Sequence, residues 1–226
     1  MYYPLDFLII IAFIISIWAQ FRVKGTFAKW SDVPTMRGLS GSQAARHMLD
    51  SNGLHDVPIE PVQGELSDHY DPINRIVRLS EKVYYGSSIS SVSVACHEVG
   101  HAIQHKVHFP MLVLRHRMFP VVNLVSGAAP FLLIAGILFN VTGLLGLGIV
   151  FFSAAVAFQL VTLPVEFNAS SRARDIMISE GYVTNEEERG VAKVLNAAAL
   201  TYVAAALISF LQLLKFIMIF TNSNRQ

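Results

Sequence analysis

The sequence predicts a mainly α-helical protein with a small β-sheet and about four transmembrane helices. Three observations support this prediction. The composition is 53% hydrophobic and 15% charged, whereas a soluble domain usually carries about 25% charged residues. Four long apolar stretches each contain at most one charged residue, which is typical of membrane-spanning helices. The polar region after the first stretch carries the turn and alternation patterns of β-structure.

The first apolar stretch covers residues 5–19, and flanking aromatic residues extend it to the length of a bilayer span. A cleaved signal peptide carries its positive charges before its apolar run. Here the first positive charges, Arg22, Lys24 and Lys29, come after the run. We therefore predict that residues 1–20 form an uncleaved N-terminal transmembrane anchor.

Residues 21–118 are polar and contain the predicted β-structure. Two prolines keep residues 57–62 extended, and alternating polar and apolar residues at 75–79 predict a strand. That strand is either a candidate edge strand for pairing with an extended peptide or an ordinary strand of the sheet. The other predicted elements are a capped helix that begins at Ser40-Gly41-Ser42 and ends at Asn52-Gly53, a turn at 68–72, and a helix between Ser88 and Pro110.

Residues 119–163 are predicted to form a transmembrane helical hairpin, because two uncharged stretches flank a tight turn. Residues 164–196 are polar again, and Pro164 predicts the start of a new helix there. Residues 197–226 are predicted to form a C-terminal transmembrane helix and tail. Close packing of the hairpin is expected at four glycines: Gly136, Gly143, Gly146 and Gly148.

The positive charges are distributed unevenly along the chain. Of 17 Lys and Arg residues, 11 lie between positions 22 and 117, and 4 lie between 172 and 193. The hairpin would place both polar regions on one side of the membrane, and the positive-inside rule makes that side cytoplasmic. The net charge is +1 and the chain has no basic stripe with interleaved aromatics, so we expect no nucleic-acid partner.

The strongest chemical signal is the HExxH run from His97 to His101. On a helix, residues four apart lie on one face, so both imidazoles can reach one metal ion. Glu98 lies beside them, where it can take a proton from a zinc-activated water and deliver it to a leaving amine. The motif therefore predicts a peptidase zinc site with Glu98 as general base. In a chain of this composition the three motif residues would match somewhere by chance with odds of about 1 in 100. The alternative is a solvated helix that carries two histidines.

A catalytic zinc ion needs a third protein ligand and one open position. His105 continues the same helix face, but three ligands along one straight helix would splay apart from a single ion. His108 fits the metzincin spacing poorly. Glu166 directly follows an apolar stretch, where a carboxylate needs a partner such as zinc. It could equally be a helix N-terminal carboxylate that favours the macrodipole, so its position alone leaves both interpretations open.

The order of an HExxH helix, a membrane hairpin and a later helix with a Glu resembles membrane gluzincins such as the HtpX-type proteases. The run from Glu166 to Ala169 is similar to their Glu-Phe-x-Ala-Asp pattern, but Ser170 replaces the Asp, which leaves Asp175 as a candidate carboxylate partner. Nearly the whole chain resembles the putative neutral zinc metallopeptidase family of YugP type, which consists of small bacterial membrane proteins. The matching stretches are 66–72, 77–81, 95–104 and 163–170.

The resemblance implies a zinc metalloendopeptidase of the bacterial plasma membrane, in which His97, His101 and Glu166 hold Zn2+. From the resemblance together with the patterns above, we predict a zincin-like α+β catalytic domain combined with the transmembrane helices, and the charge distribution predicts that it faces the cytoplasm. The expected partners are a protein or peptide substrate and the lipid bilayer. Membrane-protein partners or a homo-oligomer are compatible with the sequence.

Three further residues are weaker candidates for transition-state or substrate contacts. His69 and Tyr70 are candidates to stabilise an oxyanion, although such residues in an Asp-Pro turn are more often structural. Arg172 is a candidate to orient the Glu166 carboxylate or to bind phospholipid headgroups, and a solvated helix face explains it equally well. The single cysteine, Cys96, cannot form an internal disulfide and is interpreted as a small buried hydrophobe.

Three other functions are alternatives to a peptidase of this kind. A zinc-binding membrane scaffold or adaptor without turnover would keep the metal ligands but has no need for Glu98. An intramembrane protease would place HExxH inside an apolar span, and a transporter would carry more polar residues inside its spans. Neither of these patterns fits the sequence, so the scaffold is the main alternative.

Overall fold

The computed structural model describes residues 4–223, which are mostly helical with one small sheet. The predicted fold class, mainly helical with a small β-sheet and four candidate membrane spans, is confirmed. Residues 1–3 of the predicted anchor and 224–226 of the predicted tail lie outside the described residues. In chain order the elements are α1 (Pro4–Ser31), α2 (Gly41–Ser51), β1 (Ile59–Val62), β2 (His69–Asp71), β3 (Ile76–Ser80), α3 (Glu81–Tyr85), α4 (Ile89–Lys106), α5 (Pro110–Leu138), α6 (Thr142–Ser179) and α7 (Glu188–Ser223).

The chain divides into two compact units. The helical unit contains the residues up to Ala19, Val113–Pro164 and those from Thr201 onward. The α/β unit contains Gln20–Leu112 and Val165–Leu200, and it holds every candidate site residue. The five sequence segments, with their boundaries near 20, 118, 163 and 196, remain a prediction.

Four helices of the described chain, α1, α5, α6 and α7, are long and apolar enough to cross a membrane by length and composition. Each of them extends beyond the apolar stretch that predicted it. The predicted helix start at Pro164 is wrong, because α6 continues through this residue. A proline removes only one backbone N–H from a helix, whereas a new helix start would leave several N–H groups without intrahelical acceptors. In apolar surroundings the continuous helix is the lower-energy arrangement.

Close packing between α5 and α6 in the helical unit depends on two of the four predicted glycines. A Cβ at Gly136 would lie 2.5 Å from the backbone nitrogen of Leu145, and one at Gly148 would lie 2.9 Å from that of Leu133. The prediction is wrong for Gly143, because no atom of the described chain lies within 4 Å of a Cβ built there. The prediction is also wrong for Gly146, because a Cβ built there would lie 3.2 Å from the ring of Phe220 on α7 and would contact no atom of α5.

Two charged residues near the ends of the terminal helices pair within the helical unit. The Lys215 ammonium lies 2.6 Å from a carboxylate oxygen of Asp6. Charged side chains in membrane-spanning segments are energetically costly and usually pair with one another. The pairing explains how both apolar helices accommodate a charge.

The three-stranded sheet of the α/β unit has the order β1-β3-β2, with β1 parallel and β2 antiparallel to β3. The prediction of an edge strand at 75–79 is wrong, because β3 pairs on both sides and β2 lies at the edge. The predicted turn at 68–72 is displaced to 72–75, because residues 69–71 pair with β3. The Asp71 carboxylate fixes this later turn by accepting hydrogen bonds from the N–H groups two and three residues after it.

The core of the α/β unit is formed by apolar residues of α2, β3 and α4 and of the parts of α6 and α7 that belong to this unit. The predicted cap of α2 is confirmed, and Ser40 forms it, with its hydroxyl accepting from the Gln43 N–H. Ser88 caps α4 in the same way. Cys96 is buried in α4, and burial raises the pKa of its thiol, in agreement with its interpretation as a buried hydrophobe. Because α4 is buried along most of its length, its polar side chains have fixed positions.

Candidate metal centre

His97 and His101 lie one turn apart on α4, with their ring centroids 4.8 Å apart. Helix α6 brings the Glu166 carboxylate to them: its Oε2 lies 3.4 Å from His97 Nε2 and 3.5 Å from His101 Nε2. The three side chains are largely buried, and that of Glu166 is only 4% exposed. Within residues 4–223 they form a group that could hold a metal ion, with ligand atoms within 4.8 Å of one another. The structure therefore brings the three sequence-predicted ligands together.

These separations fit a tetrahedral zinc site. Zinc–nitrogen and zinc–oxygen bonds of about 2.0–2.2 Å place the ligand atoms of a tetrahedral site about 3.4 Å apart. The observed distances are also long for a direct N–H···O hydrogen bond, which prefers about 2.9 Å. Two imidazoles and one carboxylate are the ligands of a catalytic rather than a structural zinc site, because they leave the fourth position open.

The Nδ1 atoms of both histidines have hydrogen-bond partners, which direct each Nε2 toward the third ligand. His97 Nδ1 lies 3.1 Å from the Ser170 hydroxyl, and His101 Nδ1 lies 3.0 Å from Gln104 Oε1. Metal-bound histidines generally have such a partner on the far ring nitrogen. Ser170 therefore occupies the position for which Asp175 was a candidate, while Asp175 itself is exposed.

Gly100 allows α6 to approach α4 closely at this site. A Cβ built on Gly100 would lie 2.6 Å from the carbonyl oxygen of Ala169 and 3.2 Å from its Cα. These are backbone atoms, which cannot rotate away as a flexible side chain can. The glycine within the HExxH run therefore sets the distance between the helix that carries the histidines and the helix that carries Glu166.

Glu98 is buried beside the ligands, with 8% of its surface exposed. Burial, together with the nearby carboxylates of Glu166 and Asp68, raises the pKa of Glu98 to about 7. His97 and the backbone N–H of Tyr70, which donates to the Glu98 carboxylate, act in the opposite direction. A carboxyl group with a pKa near neutrality is suited to accepting a proton and releasing it again.

His69 and Tyr70 have different partners on the edge strand β2. The exposed His69 ring donates from Nδ1 to the carbonyl oxygen of Ser67, at 2.8 Å, which is a local structural contact. The Tyr70 hydroxyl lies 2.9 Å from Nδ1 of His105, one helical turn beyond His101. Contacts of His69 and Tyr70 with substrate or transition state remain predictions.

Sequence reasoning missed several residues that hold the ligands in place. Gln104 is completely buried, and it bonds to His101 on its own helix and to Val165 and Asn168 on α6. Its position three residues after His101, on the same helix face, is the signal that could have found it. Arg172, a predicted substrate contact, donates from Nε to Asn168 Oδ1 at 2.8 Å. Its contact with substrate remains a prediction.

Comparisons with known proteins agree with this site. A family model described as "Putative neutral zinc metallopeptidase" matches residues 5–221. The chain is 62% identical over 216 residues to a protein of Bacillus subtilis (strain 168) named "Putative membrane protease YugP", and the alignment covers 96% of each chain. No solved structure matches the chain.

Proposed function

This chain belongs to the putative neutral zinc metallopeptidase family, and from that membership we propose that it is a membrane-bound zinc metalloendopeptidase. One observation carries the proposal. Glu166 on α6 lies 3.4–3.5 Å from the Nε2 atoms of His97 and His101 on α4, which is the spacing of tetrahedral zinc ligands, and all three ligand atoms lie within 4.8 Å of one another. The buried Glu98 beside them is the candidate general base.

Zinc bound by these residues would supply a Lewis acid that polarises the scissile carbonyl and activates a water molecule. The chain itself handles the proton. Glu98 takes a proton from the attacking water at its carboxylate and delivers it to the leaving amine. The hydrogen bond from the Tyr70 backbone N–H and the buried surroundings keep the Glu98 carboxylate in place between accepting the proton and releasing it.

We further propose that the site faces the cytoplasm from a bacterial plasma membrane. Four helices of the described chain are apolar enough to cross a bilayer. The polar regions that surround the site residues carry 11 and 4 of the 17 positive charges, and such charges are retained on the cytoplasmic side. The substrate is then a protein or peptide that reaches the site from that side.

Peptide hydrolysis in membrane vesicles of known orientation tests both proposals together. A quenched fluorescent peptide library added to inside-out vesicles is expected to be cleaved, because these vesicles expose the cytoplasmic face. A zinc chelator should abolish the cleavage and added zinc should restore it, since the proposed ligands bind the ion reversibly. Right-side-out vesicles should show no cleavage until detergent opens them.

Vesicles that contain the Glu98→Gln protein provide the blank for other proteases. Cleavage that persists in chelator would contradict a zinc peptidase. Cleavage confined to intact right-side-out vesicles would contradict the cytoplasmic orientation and leave the zinc chemistry standing.

A further inference from the structure

A chain of hydrogen bonds connects Arg172 to His101 through two side-chain amides. Arg172 Nε lies 2.8 Å from Asn168 Oδ1. Gln104 Nε2 lies 3.0 Å from that same oxygen and 2.8 Å from the carbonyl oxygen of Val165. Gln104 Oε1 lies 3.0 Å from His101 Nδ1. All these residues belong to the α/β unit, and Gln104 is completely buried.

Each bond in this chain has a fixed direction. A guanidinium group only donates hydrogen bonds, so the Asn168 atom that faces Arg172 must be its oxygen. The Val165 carbonyl oxygen only accepts, so the Gln104 atom that faces both acceptors must be its nitrogen. The remaining amide atom of Gln104, its oxygen, then faces His101 and requires an N–H at Nδ1. A neutral imidazole with its proton on Nδ1 has its lone pair on Nε2, which is the atom directed at Glu166.

His97 differs from His101 in this respect. Its Nδ1 faces the Ser170 hydroxyl at 3.1 Å, and a hydroxyl can either donate or accept. Ser170 therefore permits both tautomers of His97. The fixed hydrogen-bond direction applies to His101 alone.

We infer that Arg172, Asn168 and Gln104 form a one-way hydrogen-bond relay that holds His101 in its Nδ1–H tautomer, ready to bind a metal through Nε2. All three are positioning residues rather than catalytic ones. The inference rests on the proposed metal site but does not depend on peptide hydrolysis. Because the relay joins α4 to α6, it also fixes the helix that carries Glu166 relative to the histidines.

The tautomer of His101 in the metal-free protein tests the relay without any substitution in it. Nitrogen-15 NMR of histidine-labelled protein distinguishes protonated from unprotonated ring nitrogens, and the His101 signals are assigned by their loss in His101→Asn. We expect a protonated Nδ1, which the Gln104 oxygen requires. An unprotonated Nδ1 in the metal-free protein would overturn the inference.

Zinc affinity, measured by competition with a chromophoric chelator, tests the effect of the relay on the metal. Gln104→Leu is expected to weaken zinc binding about 10- to 100-fold, the usual effect of removing a partner of a ligating histidine. Asn168→Leu should have a smaller effect in the same direction, because the Val165 carbonyl still orients Gln104. Asn168→Asp is the matched control: its oxygen still accepts from both Arg172 and Gln104, so affinity should stay within about threefold.

An affinity in Gln104→Leu equal to that of the wild type, or a loss in Asn168→Asp as large as in Asn168→Leu, would contradict the relay. Thermal unfolding of each variant identifies any variant that fails to fold. If a variant fails to fold, the relay is tested by the His101 tautomer that NMR shows in the wild-type protein. These readouts also separate the relay from the proposed function. If the protein binds zinc in this order of affinities but cleaves no peptide, the relay stands and the peptidase proposal fails.

Discussion

Replacing Glu98 by Gln is expected to lower the rate of peptide hydrolysis about 10²- to 10⁴-fold while zinc stays bound, because the substitution removes the general base. The glutamine side chain has nearly the same shape, and its oxygen can still accept the Tyr70 N–H that donates to Glu98. The substitution leaves the three proposed zinc ligands, His97, His101 and Glu166, in the protein. The hydrolysis rate and the zinc content are measured on the same purified samples.

The matched control for this substitution is Asp175→Asn, which removes an exposed carboxylate from α6 and should leave the rate unchanged. A Glu98→Gln protein that cleaves peptides within about tenfold of the wild-type rate would contradict the mechanism, since a general base contributes more than that. The experiment also separates the peptidase from the zinc-binding scaffold. A scaffold without turnover has no hydrolysis to lose, so wild type and variant would be equally inactive.

Replacing Gly100 by Ala is expected to weaken zinc binding by about tenfold or more and to lower the unfolding temperature. The new methyl group would lie 2.6 Å from the Ala169 carbonyl oxygen, so α6 must move away from α4. Metal–ligand distances in a well-formed zinc site lie within about 0.2 Å of their standard values, and Glu166 lies one turn before Ala169. Overpacking of this kind typically costs about 1–3 kcal/mol, which exceeds the gain of about 1 kcal/mol from alanine in a helix interior.

Gly25→Ala is the matched control, because Gly25 also lies within a helix but is exposed. Apart from Gly25 itself, its chain neighbours and the adjacent backbone of its own helix, no atom of residues 4–223 lies within 4 Å of a Cβ built at Gly25. That variant should therefore keep its zinc affinity and unfold at the same or a slightly higher temperature. Unchanged zinc affinity in Gly100→Ala would show that the helix spacing does not control the site.

The fold class was predictable because membrane spans and capped helices leave strong local signals. Four apolar stretches and the cap at Ser40 correspond to elements of the structure. The sheet was less predictable, because strand order depends on pairing between distant segments. Nothing local in residues 75–79 indicates that a second strand covers the other side of β3. The prediction at Pro164 failed although the local signal for a helix start was strong. Ending a helix in apolar surroundings would leave backbone groups without hydrogen bonds, and that cost exceeds the local preference of proline.

The metal ligands were partly predictable from the sequence. The i, i+4 spacing of His97 and His101 predicts their convergence, whereas Glu166 lies far along the chain and depended on a family resemblance. The spacing of Gln104 three residues after His101 was a usable signal within α4, but the contacts between the helices were not predictable, since no local pattern shows that Gln104 faces Asn168 or that Ala169 lies against Gly100. Those contacts exist only once α4 and α6 pack together.

The most direct test of the central claim is the zinc content and X-ray absorption spectrum of the purified protein, compared with those of Glu166→Ala. We expect a single zinc ion per chain, bound by two imidazole nitrogens and a carboxylate oxygen at about 2.0–2.2 Å. We expect Glu166→Ala to lose most of its zinc at the same free zinc concentration. An equal zinc content and an unchanged spectrum in Glu166→Ala would show that Glu166 is not a ligand, and would contradict the three-residue site.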